Sequence, residues 1–462
     1  MKICGKLLLI LLLGIIICGV TEAGKKPDRA YITAAKIEIV SGDMDRYPNA
    51  IALLDTLFMY YGPYAEGLYW VSQIMVDYVD KTSGLKQKKE YVGRMVAYID
   101  SLHMCCENKE LKKKNRKNCK KYIEKADSTL QMYWRRFYND GVEQVDEITQ
   151  VAKDMSEETD SVALGYFENQ LESLIDSCLD NMTMAIMIDS TDPRPYAGLA
   201  TGHEKKGEYA ISNEWLIRAL EKSTDRNPLL IQIAYNYIRL DTYCDAIPYF
   251  REYVDNFQLT PENQDTLVLH MNNMSICYNN CEMYDSASVV FYHILEMEPD
   301  NTKALASIGR FHNQMARFAS DSANQYQSAG DKAGAEKWRE EQNRAFDSSQ
   351  VYFRRAFELE PDNTRVVKEY AIACYIRSNF ADAVTAFTRL TELRPDDVEG
   401  WTSLGDCYIS MQKFEDAAQA YEKVVELEPN NREVLEHLKD LYFELKQPDK
   451  RQEIEKRLQS LK

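Results

Sequence analysis

The amino-acid sequence predicts an all-α fold of stacked antiparallel helix pairs, on three observations. Pro361, Pro395 and Pro429 recur every 34 residues. Small residues recur at two fixed places between the prolines, and large apolar residues recur at spacings of three and four. Composition agrees: 19 Gly and 13 Pro are few in 462 residues, and an apolar share of 45% is enough for a folded body.

Each proline ends a similar phrase, as in Phe357-Glu358-Leu359-Glu360-Pro361 and Val425-Glu426-Leu427-Glu428-Pro429, and a fourth copy ends at Pro299. Aligned on this frame, units begin at Pro193, Asn227, Val268, Thr302, Thr364, Val398 and Arg432. The eighth position reads Ala200, Ala234, Ser275, Gly309, Ala371 and Gly405; the twentieth reads Ser212, Ala246, Ala287, Ser349, Ala383 and Ala417. The fourth and seventh positions are large, for example Leu230/Ile233 and Trp401/Leu404, and the twenty-fourth is Phe250, Phe291, Phe353, Phe387 or Tyr421. These spacings place the large residues on one helical face. Each unit is read as two antiparallel helices of about 14 residues, touching most closely at the small residues. Proline stops the second helix, because it has no N–H to continue the ladder.

Trp401, Leu404, Gly405, Tyr408, Ala417, Tyr421 and Pro429 resemble the signature of the tetratricopeptide repeat, and the resemblance runs from about 193 to 447. Val424 departs from the family's usual alanine, and the last unit carries Arg451 where a small residue is usual. The resemblance implies a right-handed superhelical solenoid of about seven units over 193–462, closed by a polar capping helix. It also implies a non-catalytic scaffold or adaptor that binds a protein or peptide segment on the concave face formed by the first helices. Carried onto this sequence, that face holds Tyr235, Ile238, Arg239, Asn272, Asn273, Ile276, Asn279, Lys303, Arg310, Asn313, Arg365, Lys368, Ile372 and Tyr375. Asparagines can bond both polar groups of a peptide backbone. Lys303, Arg310, Arg365 and Lys368 would add a positive stripe for acidic side chains or a C-terminal carboxylate. The two-carboxylate clamp of chaperone-binding relatives is not reproduced. A second reading is a structural subunit of an envelope or secretion assembly, contacting partners through its elongated hairpin or N-terminal helices.

Two insertions interrupt the frame. Residues 261–267 form a loop or helix extension, and the unit at Thr302 carries 28 extra residues. Both ends of the longer insertion keep the frame, so residues 302–363 read as an elongated hairpin turning at Gly330-Asp331. Ala316, Ala319, Ala323 and Tyr326 are placed to face Ala335, Trp338, Gln342 and Ala345. Residues 24–192 read as irregular, elongated helical hairpins continuous with the solenoid, with a separate helical domain as the alternative. One unit-like stretch at 31–64 sets Ala34, Ile37, Ala50, Leu54 and Leu57 inward, and helices follow at 86–102, 108–138, 142–155 and 159–189.

The N-terminus carries Lys2 and Lys6, an aliphatic run from Leu7 to Ile17, and small residues around Thr21-Glu22-Ala23. This pattern predicts a signal peptide at 1–23 and export to the periplasm or beyond, with a retained anchor or lipid modification at Cys18 as alternatives. The remaining chain has 54 basic and 72 acidic residues, a net charge of −18, and nine cysteines. So acidic a surface argues against nucleic-acid partners. Lys112–Lys121 is the one basic cluster, read as a solvated turn or a contact with anionic lipid headgroups or an acidic partner. His103, Cys105, Cys106 and Cys119 lack paired zinc-ligand spacing, and an oxidising compartment favours a disulfide from Cys105 or Cys106 to Cys119. The repeat frame brings Cys244 and Cys281 to one rim as a second pair. No nucleophile elbow, phosphate loop or dinucleotide fingerprint occurs, so the sequence points to no catalytic residue, cofactor, metal or small-molecule substrate.

Overall fold

The computed structural model describes residues 29–111, 117–158 and 160–461. Among these are twenty α-helices, one 3-10 turn and no strand. The expected signal peptide at 1–23 lies outside the described residues, as do residues 112–116 of the basic cluster. The chain divides into two compact units, residues 1–242 and 243–462.

In the first unit, α1 (Arg29–Val40) pairs with α2 (Tyr47–Tyr61), and α3 (Ala65–Lys81) pairs with α4 (Leu85–Glu107). Then come α5 (Cys119–Glu157), α6 (Ser161–Ile188), α7 (Arg194–Lys205), α8 (Tyr209–Leu220) and α9 (Asn227–Arg239). The repeat frame suggests a boundary at 192/193, but the first unit runs on to Thr242. Glycine explains the continuity: a Cβ at Gly198 would come within 2.6 Å of Met182, and one at Gly202 within 2.7 Å of Leu179, so α7 lies directly on α6.

Two expectations for this half need correction. The helices expected at 108–138 and 142–155 are one 39-residue helix, α5, beginning at Cys119. Gly141 reads as a break but is buried in mid-helix, where a Cβ would meet Met182 at 2.7 Å. It permits close packing on α6 rather than a turn. In the stretch at 31–64, Ala50, Leu54 and Leu57 are buried as expected, yet α1 turns Ile32, Ala35 and Ile39 inward and leaves Ile37 63% exposed. Isoleucines and a valine lie on several faces of α1, so periodicity alone does not fix its rotation; the α2 and α3 surfaces do.

The second unit contains α10 (Tyr243–Asn256), α11 (Gln264–Asn280), α12 (Tyr284–Met297), α13 (Thr302–Ser328) and α14 (Lys332–Leu359). It continues with α15 (Thr364–Ile376), α16 (Phe380–Leu393), α17 (Val398–Ser410), α18 (Phe414–Leu427), α19 (Arg432–Glu444) and α20 (Pro448–Ser460). The twelve small residues of the repeat frame, which span both units, are all buried. A Cβ at Gly309 would meet Phe353 at 2.8 Å, and one at Gly405 would meet Tyr421 at 2.5 Å. The small eighth residue is therefore the seat of the aromatic twenty-fourth.

The repeats are punctuated at fixed positions. Asn301, Asn363, Asp397 and Asn431, each just ahead of a unit, accept hydrogen bonds from the first-turn N–H groups of α13, α15, α17 and α19. The fifteenth residue turns the chain between paired helices with positive φ: Gly207, Asp241, Glu282, Ser378, Gln412 and Lys446. The elongated hairpin turns at Gly330 (φ 81°), with Ala316, Ala319, Ala323 and Ala335 buried and Phe318 edge-on to Trp338 at 5.7 Å. The insertion at 261–267 is a short loop plus an N-terminal extension of α11. At the C-terminus, α20 buries Ile454 and Leu458 and is otherwise largely polar.

Among the described residues, two disulfides close the chain locally. Cys119 bonds to Cys106 (Cα–Cα 5.6 Å) and not to Cys105, which is a buried thiol. Cys244 in α10 bonds to Cys281 at the end of α11, with Cα–Cα 5.7 Å.

Gly405→Val is expected to destabilise the protein by at least about 1–3 kcal/mol, because the Tyr421 ring must leave its seat. Denaturant unfolding followed by circular dichroism checks this, and an unchanged midpoint contradicts the packing described. Paired Cys244→Ser and Cys281→Ser substitutions are expected to cost about 2–4 kcal/mol.

Candidate partner-binding face

In the second unit the first helices of successive repeats are joined by ion pairs that cross between them. On α13, Arg310 Nη1 donates to both carboxylate oxygens of Glu369 on α15 at 2.9 Å, while its Nη2 donates to Ser307 Oγ at 2.7 Å. Arg365 Nε reaches the same Glu369 carboxylate at 3.4 Å. Lys368 Nζ donates to Glu399 Oε2 on α17 at 2.6 Å. An open groove of about 590 Å³ adjoins these residues, lined by Thr364, Arg365, Lys368, Leu390, Arg394, Asp396, Asp397, Val398 and Glu399.

Three of the four cations of the expected stripe are therefore held by carboxylates, and Lys303 is exposed on α13. The arrangement is a ladder of alternating charge. Glu369 and Glu399 escaped the sequence reading although they stand at the sixth and second positions of their units, both positions of the implied concave face. Comparing charges across neighbouring units at those positions finds them. Half-exposed pairs of this kind contribute about 0–1 kcal/mol each, so a partner's carboxylate can compete for the same guanidinium and ammonium groups.

The asparagines divide by orientation. Asn272 donates to the Val268 carbonyl of its own helix at 2.9 Å, Asn279 is exposed, and Asn273 is half-buried. Asn313 on α13 has a buried Oδ1 without a hydrogen-bond partner. Tyr375 on α15 is partly exposed beside Phe380, ring centroids 6.0 Å apart, and burial raises its hydroxyl above the usual tyrosine range. Tyr235 and Arg239 lie on α9 in the first unit, where the Arg239 guanidinium rests 5.2 Å above the Tyr209 ring and pairs with Glu204. Each unit thus carries its own part of the predicted set.

Three histidines have structural partners. His103 Nε2 lies 2.8 Å from Asp127 Oδ1, His203 Nδ1 lies 2.7 Å from Glu208, and His312 stacks on Tyr352 and meets the Tyr292 hydroxyl at 3.1 Å. Burial pushes the thiols of Cys178 and Cys277 up to about 11 and that of Cys407 to about 12. A thiol held protonated in this way is a poor nucleophile.

Helix pairs that bury small residues at two fixed places and bridge first helix to first helix define a helical repeat protein built for interaction. The family model described as tetratricopeptide repeat matches residues 398–431, and the chain carries that repeat there. Among solved structures, the chain is similar to the MamA protein, at 15% identity over 43% of this chain and 92% of the other, with a TM-score of 0.32. It is also similar to the C-terminal part of a TPR repeat-containing protein from Cytophaga hutchinsonii, at 15% identity over 57% of this chain and 93% of the other, with a TM-score of 0.40. No curated protein matches the sequence.

Arg310→Ala is expected to lower unfolding stability by no more than about 1 kcal/mol, because the pair is half-exposed. A loss of several kcal/mol in a denaturant titration contradicts a replaceable pair.

Proposed function

We propose that the protein is an exported adaptor that grips an extended, acidic protein segment on the first-helix face of its second unit. The repeats make it a protein-interaction scaffold, of a family that is generally non-catalytic. The observation that carries the finer reading is the Arg310–Glu369–Arg365 group, beside Lys368–Glu399. Glu369 and Glu399 hold these cations in fixed positions, so little side-chain freedom is lost when a ligand carboxylate takes over. The Tyr375 ring supplies a partly exposed aromatic contact on one of these helices. Two disulfides and the predicted signal peptide support an oxidising compartment outside the cytoplasm.

The binding reading is tested by crosslinking the protein in its native cells, identifying the attached segment and titrating it as a synthetic peptide. Charge reversal at Arg310 and Lys368 is expected to weaken binding at least tenfold, whereas Glu369→Gln frees Arg310 and strengthens it. Affinities that ignore all three changes point instead to a structural subunit holding its partners elsewhere.

Compartment is tested by alkylation. The chain after residue 23 has nine cysteines, of which four are in disulfides and Cys105, Cys178, Cys277, Cys374 and Cys407 are buried thiols. Native protein isolated from cells under acid trapping is expected to take up no label, and denatured unreduced protein to take up five. Nine labels on unreduced denatured protein mean a reducing compartment and contradict export.

A further inference from the structure

The first unit holds an unpartnered helical face whose charges point to its occupant. The distal halves of α5 and α6 form an arm in which Ile148, Val151 and Ile175 are the buried apolar residues, while Val162 is 81% and Tyr166 67% exposed. Side chains this apolar at the end of a helix pair invite a partner surface. The surroundings fix its sign: residues 142–176 contain ten Asp or Glu and a single basic residue, Lys153. Glu143, Asp146, Glu147, Glu157 and Glu168 are all exposed. Asp176 is also exposed but pairs with Lys206 at 2.7 Å.

The opposite end of the same helix has the opposite charge. Lys109, Lys117, Lys120, Lys121 and Lys125 are all exposed around the start of α5, with Glu110 and Glu124 as the acidic residues between them. Lysines in the first turn and Asp154 and Glu157 in the last oppose the helix dipole at both ends, a cost of about 0.3–1 kcal/mol per charge. Helix stability therefore does not account for the arrangement. Nor can the two ends satisfy each other: a helix of 39 residues holds them roughly 55–60 Å apart at ~1.5 Å per residue.

We propose that the acidic arm of one copy, with Val162 and Tyr166 at its tip, docks against the lysine-bearing start of α5 in a second copy, so that the chain self-associates head to tail. Such a contact is heterologous and repeats into open chains or closed rings. It rests on exposed charges, so it weakens as salt shortens their reach to about 8 Å at physiological ionic strength.

The experiment is sedimentation velocity of the whole mature protein over a concentration series at low and high salt. The wild type is expected to form species larger than dimers at low salt and to dissociate in 0.5 M NaCl. Lys120→Glu with Lys121→Glu, and separately Glu157→Lys with Glu168→Lys, each give monomers alone and a one-to-one dimer when mixed, because one complementary end survives on each. Val162→Ser with Tyr166→Ser weakens association at unchanged charge, and circular dichroism confirms that every variant is folded. Wild type that stays monomeric at low salt overturns the proposal, as does association indifferent to these changes. A monomer whose lysines bind anionic phospholipid vesicles, or whose arm binds polylysine, also overturns it, by giving those ends to a membrane or to another basic protein.

Discussion

The close approach of paired helices at the eighth residue of each repeat is the constraint on which the fold depends. Gly309 and Gly405 leave room for the rings of Phe353 and Tyr421, and no Cβ fits between without displacing them. Once the ring is seated, the helix pair has one spacing, and the buried face of the second helix is presented to the next pair. Burial of a large aromatic is a strong driving term, but it selects a geometry only because the opposite residue is small. The same logic operates where the irregular helices meet the first repeat: Gly141 on α5 and Gly198 on α7 accommodate Met182.

Seating of this kind makes the repeats legible in sequence. Prolines, small residues and aromatics each have a fixed offset, and the structure buries all twelve small positions read from that frame. The elongated hairpin is legible for a related reason: an insertion that preserves frame on both sides must be absorbed between the helices of one pair. The irregular N-terminal half lacks such offsets. There Gly141 carries the ordinary helix-breaking signal, and only the Met182 side chain, 41 positions away in sequence, reveals it as a packing glycine. The rotation of α1 is illegible because its apolar residues lie on several faces, so the partner surface decides. Residues in the left-handed turn are equally hidden, since Asp, Glu, Ser, Gln and Lys all occupy the position that Gly207 occupies once.

The candidate site is half legible. Family resemblance supplies the positions of the first-helix face, and the basic residues there stand out in an acidic chain. Their partners do not, because an ion pair between repeats joins residues about a period apart, such as Lys368 and Glu399, or about a period plus the inserted hairpin apart, such as Arg310 and Glu369. Repeat architecture turns such distant residues into neighbours. A charge read along the chain is therefore a poor guide to the field a ligand meets, and a charge read down one repeat position is a better one.

That distinction separates the two charged surfaces of this protein. On the first-helix face of the second unit, opposite charges alternate within hydrogen-bonding distance, which fixes the cations in place and shortens the reach of their field. On the first unit, like charges are gathered at each end of one helix, against its dipole and beyond reach of each other. Alternation favours short-range discrimination, since a ligand must replace a carboxylate to bind. Segregation favours long-range attraction between bodies, whose strength follows salt. The helix pair is the same building unit in both, and the difference comes from whether opposite charges fall on neighbouring first helices or at the two ends of α5.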